Sequence, residues 1–129
     1  MEKMTREEYE DTILQMTETV GGLAVLAAFR FQQYRHCLTD EKAILFAING
    51  VRVSDGMASV KGFPKTNKEH LDLLSKMMDS VHHSGQMFAE IAASLTSEEE
   101  KNDVLDDVET AIFGVRAIGE LANIEEIPN

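Results

Sequence analysis

Few side chains in this sequence are arranged as a reactive or ligating group. Asp79 and His82 stand three apart, which sets a carboxylate and an imidazole on one side of a helix, as metal ligation needs. Di-metal sites in helical bundles use two Glu-x-x-His pairs and a further Glu from each of two other helices. This chain has no Glu-x-x-His, and His83 belongs to a polar stripe, so a solvated face is the preferred reading. A second candidate is the acidic series Glu98, Glu99, Glu100, Asp103, Asp106, Asp107 and Glu109. Mg²⁺ takes oxygen ligands and keeps several waters, so a few such carboxylates suffice to hold it. Acids in a first helical turn also have a plainer cause, the favourable end of the helix dipole.

Two family patterns were weighed against these residues. Arg30 and His36 have the spacing of the Arg-x4–6-His motif of HEPN ribonucleases, which are also helical, and nothing else in the chain fits that family. The acidic last segment resembles the Mg²⁺-binding helices of nucleotide pyrophosphohydrolases. Glu7-x-x-Glu10 matches one element of that pattern, and the family's paired acidic helices are otherwise missing. No phosphate-binding glycine loop, nucleophile elbow or zinc spacing is present. The expectation is therefore no catalytic set, no metal site and no cofactor.

The elements that must position any site are clear. From Thr66 to Leu95, apolar residues recur at Leu71, Leu74, Met77, Met78, Val81, Phe88, Ile91, Ala92 and Leu95. Threes and fours of this kind define one seam of a long helix, which needs partner helices to cover it. Three capping boxes mark helix starts: Thr5-x-x-Glu8, Thr66-x-x-Glu69 and Ser97-x-x-Glu100. The first opens a helix through Ile13, Met16, Val20, Leu23 and Ala27. The third opens one through Val104, Val108, Ala111, Val115 and Ile118. The break at Leu95–Ser97 is so short that the last two helices must be antiparallel neighbours.

Between the first and second long helices, Thr39-Asp40-Glu41 begins a shorter one, which Asn49-Gly50 should end. Asn49-Gly50 and Asp55-Gly56 are also good hairpin turns, so a small β-meander over residues 43–61 is the alternative. The helical reading is preferred, because a small isolated meander is marginally stable. The fold class is thus all-α: a four-helix-type bundle of three long helices plus a shorter middle helix. One domain spans residues 1–129, with 123–129 as a loose tail.

Val20 to Phe29 is apolar on every side, which suits burial at the centre of the domain or in a subunit interface. Gly21 and Gly22 inside it weaken the helix by roughly 1 kcal/mol each relative to Ala. Close approach by Gly85, or a mild kink, would account for them.

The net charge of −11 is uneven: −4 over residues 1–29, +1 over 30–96 and −8 over 97–129. Acidic ends argue against direct nucleic-acid binding, which needs clustered Lys and Arg, and favour a basic protein partner. Cys37 is the single cysteine and cannot form an internal disulfide, as in a reducing compartment. No secretory pattern opens the chain, and the Val20–Phe29 run falls short of the ~20 residues a membrane span needs. A cytoplasmic protein is expected, with no membrane association. The leading functional expectation is a non-enzymatic acidic module acting through protein contacts, as a homodimer or as an inhibitor of a basic nucleic-acid-binding protein. Its candidate interaction surface comprises Glu98, Glu99, Asp103, Asp106, Asp107, Leu23 and Leu26. The alternative is Mg²⁺-dependent nucleotide pyrophosphohydrolysis on the acidic last helix.

Overall fold

A computed structural model describes residues 4–58 and 62–129, with side chains described for 4–50 and 62–129. Four helices follow one another: α1 (Arg6–Gln33), α2 (Asp40–Ala58), α3 (Asn67–Ser94) and α4 (Glu98–Leu121), with a 3₁₀ turn at Arg35–Cys37. No strand occurs among the described residues.

Each start expected from sequence carries its cap. At Thr5 the box is complete: Glu8 N–H donates to the threonine Oγ1 at 3.1 Å, and Thr5 N–H donates to the Glu8 carboxylate at 3.4 Å. Thr66 Oγ1 accepts from Glu69 N–H at 3.2 Å, but the Glu69 carboxylate turns back to Lys65 N–H at 2.7 Å instead of Thr66 N–H. Ser97 Oγ accepts from Glu100 N–H at 3.4 Å. Thr39 caps α2, accepting from Lys42 N–H at 3.2 Å.

The centre of the fold is α3, which packs against all three other helices. It buries Leu73, Leu74, Met77, Val81, Phe88 and Ile91, each stabilising the fold by roughly 1.5–3 kcal/mol through surface removed from water. The expected seam was displaced at its start: Leu71 is exposed and Leu73 is inside. Antiparallel α4 lies along one flank. Ala111 approaches so closely that a Cβ at Gly85 would sit 3.3 Å from its own Cβ, so Gly85 makes room for α4. The pairing of Gly85 with Gly21 and Gly22 was therefore incorrect. A Cβ at either Gly21 or Gly22 would meet nothing within 4 Å.

α1 runs parallel to α3, burying Tyr9, Ile13, Val20, Leu23 and Ala27. α2 returns antiparallel, with Phe46 edge-on to Phe31 and Lys42 paired to Glu90 at 2.9 Å.

The middle of the chain departs from expectation. α2 passes straight through Asn49-Gly50 and continues to Ala58. Both the early stop and the β-meander fail for one reason. A type I′ turn or a left-handed C-cap needs positive φ, and Gly50 does not adopt it. The positive-φ glycine is Gly62, at 72°, just before Phe63-Pro64. Residues 59–61 of the proposed meander lie outside the described residues.

The C-terminal segment is not loose. Ile127 is buried, and its N–H donates to Asn67 Oδ1 at 3.0 Å. The Arg6 guanidinium donates to the carbonyls of Pro64 at 2.8 Å and Pro128 at 3.2 Å, tying three parts of the chain at one end of the bundle.

Candidate interaction surface

Large apolar side chains are exposed on α2 (Ile44, Leu45, Ile48), on α4 (Ile112, Phe113) and on the outward side of α1, where the uncharged run is longest. From Thr19 to Phe29 no residue is charged, so the helix has apolar side chains to spare once its inner face is packed. Val25 is 71% exposed and Phe29 58% exposed; Leu14, two turns upstream of Gly21, is 49% exposed. α1 contains an 18-residue window apolar enough by composition to cross a membrane, and only 22% of that window is buried in the fold. The all-round burial expected for Val20–Phe29 is thus half met: Val20, Leu23 and Ala27 are inside, and Val25 and Phe29 are not.

Of the two leucines assigned to the candidate surface, one is inside and the other only partly so. Leu23 is buried, with its Cδ1 3.7 Å from where a Cβ of Gly114 would stand, and Leu26 packs against the core. The apolar face is one step around the helix. Sequence periodicity could not tell the two sides apart, because both are apolar.

Of the acidic candidates on α4, Glu98, Glu99, Asp103 and Asp106 are exposed and take part in no ion pair among the described residues. Asp107 is different. Its carboxylate accepts from Arg30 Nε–H at 2.8 Å, with both side chains mostly buried. It joins α1 to α4 and does not belong to an open acidic surface. No group of three or more His, Cys, Asp and Glu side chains among the described residues is arranged to hold a metal ion. His82 is exposed and His83 half-buried, their rings 6.0 Å apart. Cys37 is an exposed free thiol.

The polar cluster that sequence reasoning missed is buried. Tyr9 Oη lies 2.6 Å from His70 Nδ1, and His70 Nε2 lies 3.1 Å from the Leu121 carbonyl. A carbonyl only accepts, so Nε2 carries the proton and Nδ1 accepts from the tyrosine hydroxyl. One imidazole thereby links α1, α3 and the end of α4. The signal was available: His70 continues the seam of Leu73, Leu74 and Met77 one turn earlier. Burial raises the Tyr9 phenol above its usual value, with nearby Arg6 opposing. Tyr34 is raised as well, by burial first and then by Glu100, against the lowering effect of Arg30. All three rings are buried, and Tyr34 reaches the exposed Glu100 at the edge of the core.

A shallow cleft of about 170 Å³ lies among Gly62, Phe63, Pro64, Glu69, Asp72, Leu73 and Lys76. Sites for small molecules usually offer ~300–1,000 Å³. No protein family, curated protein or solved structure matches the chain.

Proposed function

We propose that the protein is a non-enzymatic, acidic interaction module that docks a protein partner through the outward face of α1. The observation that carries this reading is the uncharged run Thr19–Phe29 with Val25 and Phe29 largely in solvent. Large exposed apolar side chains grouped on one face mark interaction sites in soluble proteins. The exposed thiol of Cys37 fits a reducing, cytoplasmic setting.

A second reading draws on the exposure of Glu98, Glu99, Asp103 and Asp106: carboxylates on α4 that occupy a basic cleft in place of phosphates. Contacts of that kind weaken steeply as salt rises, and apolar ones do not. The enzymatic alternative would use the same carboxylates with Mg²⁺, although Asp107 is already engaged by Arg30.

Affinity capture from the source lysate distinguishes these readings when run with two variants. Loss of a captured protein on Val25→Glu, with retention on Asp103→Asn/Asp106→Asn and in high salt, is the expected result. The reverse pattern favours the acidic face. A capture profile indifferent to both variants, from a chain that light scattering shows to be monomeric, refutes both. Turnover of a nucleoside triphosphate with Mg²⁺ that is lost on Asp103→Asn would instead establish the enzyme.

A further inference from the structure

We infer that the partner on this face is a second copy of the chain, with the two α1 helices crossing antiparallel at Gly21 and Gly22. This rests on reading the outward face of α1 as a docking surface.

The first argument is self-complementarity. A two-fold interface must match itself, residue i meeting j and j meeting i. Leu14 lies about two turns before Gly21, and Phe29 about two turns after Gly22. Both are exposed on the same side of the helix. An antiparallel crossing centred between the glycines sets Phe29 of one protomer on Leu14 of the other, twice over. It also lays Val25 along the aliphatic stem of Glu18, whose carboxylate reaches the rim.

The second argument is space. Neither Gly21 nor Gly22 accommodates anything within its own fold, since a Cβ at either position would touch no neighbour. The helix propensity they give up is offset by no contact among the described residues. A second backbone approaching over that notch provides one.

The third argument is area. Phe113 of α4 is 66% exposed. The Arg30–Asp107 bond and the Leu23–Gly114 approach bring it level with Ala24 and Val25 on the neighbouring helix. Leu14, Val25, Phe29 and Phe113 together present on the order of 400 Å² of apolar surface, given ~150–250 Å² for a whole aromatic side chain. Gln15, Thr19 and Gln32 supply a polar rim around it. That is about half of the ~800 Å² that each partner of a stable complex hides, and the rim has to supply the rest.

The fourth argument is charge. With a net charge of −11, two copies repel except where a face is neutral, and Thr19–Phe29 is neutral. An antiparallel crossing sends the acidic first turn of each α1, with Glu7, toward the Arg35 and His36 end of the other, where Arg35 is shared with its own Asp40 at 3.3 Å. A parallel crossing would set acid against acid. The same acids disfavour an anionic lipid surface, which selects for Lys and Arg beside an apolar face.

The test uses the full chain. Light scattering at micromolar concentration should give twice the 14.4 kDa chain mass. Val25→Glu, at an exposed helical position, should return it to one chain with helical circular dichroism intact. In a Cys37→Ser background, Leu14→Cys and Phe29→Cys chains are mixed and oxidised. Antiparallel docking gives disulfides between unlike chains; parallel docking gives them between like chains. Predominantly unlike pairs support the inference. It is overturned by a monomeric wild type, by a dimer that survives Val25→Glu, by like-chain pairing, or by a monomer that co-sediments with phosphatidylcholine/phosphatidylglycerol vesicles. A monomer whose foreign partner is still lost on Val25→Glu would overturn the self-partner alone and leave the docking face standing.

Discussion

Tyr9→Phe tests whether the buried imidazole link is a structural element or a bystander. The substitution keeps the ring and deletes one oxygen. That oxygen donates to His70 Nδ1 at 2.6 Å, with Tyr9 fully buried and His70 1% exposed. Water cannot replace it, so Nδ1 is left without a donor. An orphaned buried acceptor costs about 1–3 kcal/mol, against about 1 kcal/mol for an ordinary hydrogen bond that water can replace. The expected loss is thus near 2 kcal/mol, a large share of the ~5–15 kcal/mol that holds a typical domain folded. His70→Leu should be costly for a different reason, since it strips the Leu121 carbonyl of its donor as well. The double variant, with no polar ring left to orphan Nδ1, should lose less than the two singles added together. Urea unfolding is the assay, followed by circular dichroism at fixed protein concentration in the Val25→Glu background, so that association does not enter. A midpoint for Tyr9→Phe within about 0.5 kcal/mol of its parent, at unchanged slope, would refute the reasoning. So would strict additivity in the double variant.

Arg30→Ala and Asp107→Ala should each destabilise by about 1–3 kcal/mol and combine less than additively, whereas Asp106→Ala at the exposed neighbouring position should stay within about 0.5 kcal/mol; chemical denaturation reads all four. Ser80 Oγ is buried and has no hydrogen-bond partner among the described residues, so Ser80→Ala should leave the melting temperature unchanged or raise it. The chain has two tyrosines, and burial raises both phenols. A raised folded value means that the native state keeps its proton longer. Stability is then complete below the unfolded value of ~10 and falls as pH climbs above it. Ultraviolet titration of the native protein should show little tyrosinate at pH ~10, with ionisation appearing together with unfolding. Free ionisation of either ring at pH ~10 in the folded protein would contradict their enclosure.

Much of the architecture was legible because helix starts are local events. Thr5, Thr66 and Ser97 each cap the helix their sequence announced, and the short Leu95–Ser97 break does force α3 and α4 together. Endings were less legible. Asn49-Gly50 carries a stop signal in isolation, yet α2 runs through it, as tertiary packing commonly overrides a propensity near 1 kcal/mol. Side-chain partners were the least legible. Gly85 in a seam signals close approach, but only the assembled bundle shows that Ala111 fills the space. Asp107 looked like one acid in a row of seven. Its distinction is geometric: it alone of the series is recorded pairing with a cation, Arg30, in the described residues. Leu23 and Val25 are indistinguishable by hydropathy, and which one faces outward depends on where α3 lies.

The Arg6 clasp has a practical consequence. By holding the carbonyls of Pro64 and Pro128 together, it keeps residue 6 and residue 128 within one side chain's reach. A brief peptide joining residue 128 to residue 6 would close this stretch of backbone into a ring with little rearrangement. New ends could then be cut at the Leu95–Ser97 corner, and such a permuted chain should still assemble the same four rods. Reporter groups attached near residues 6 and 128 would sit at this pole of the rod assembly, beyond the Leu14 end of the proposed seam.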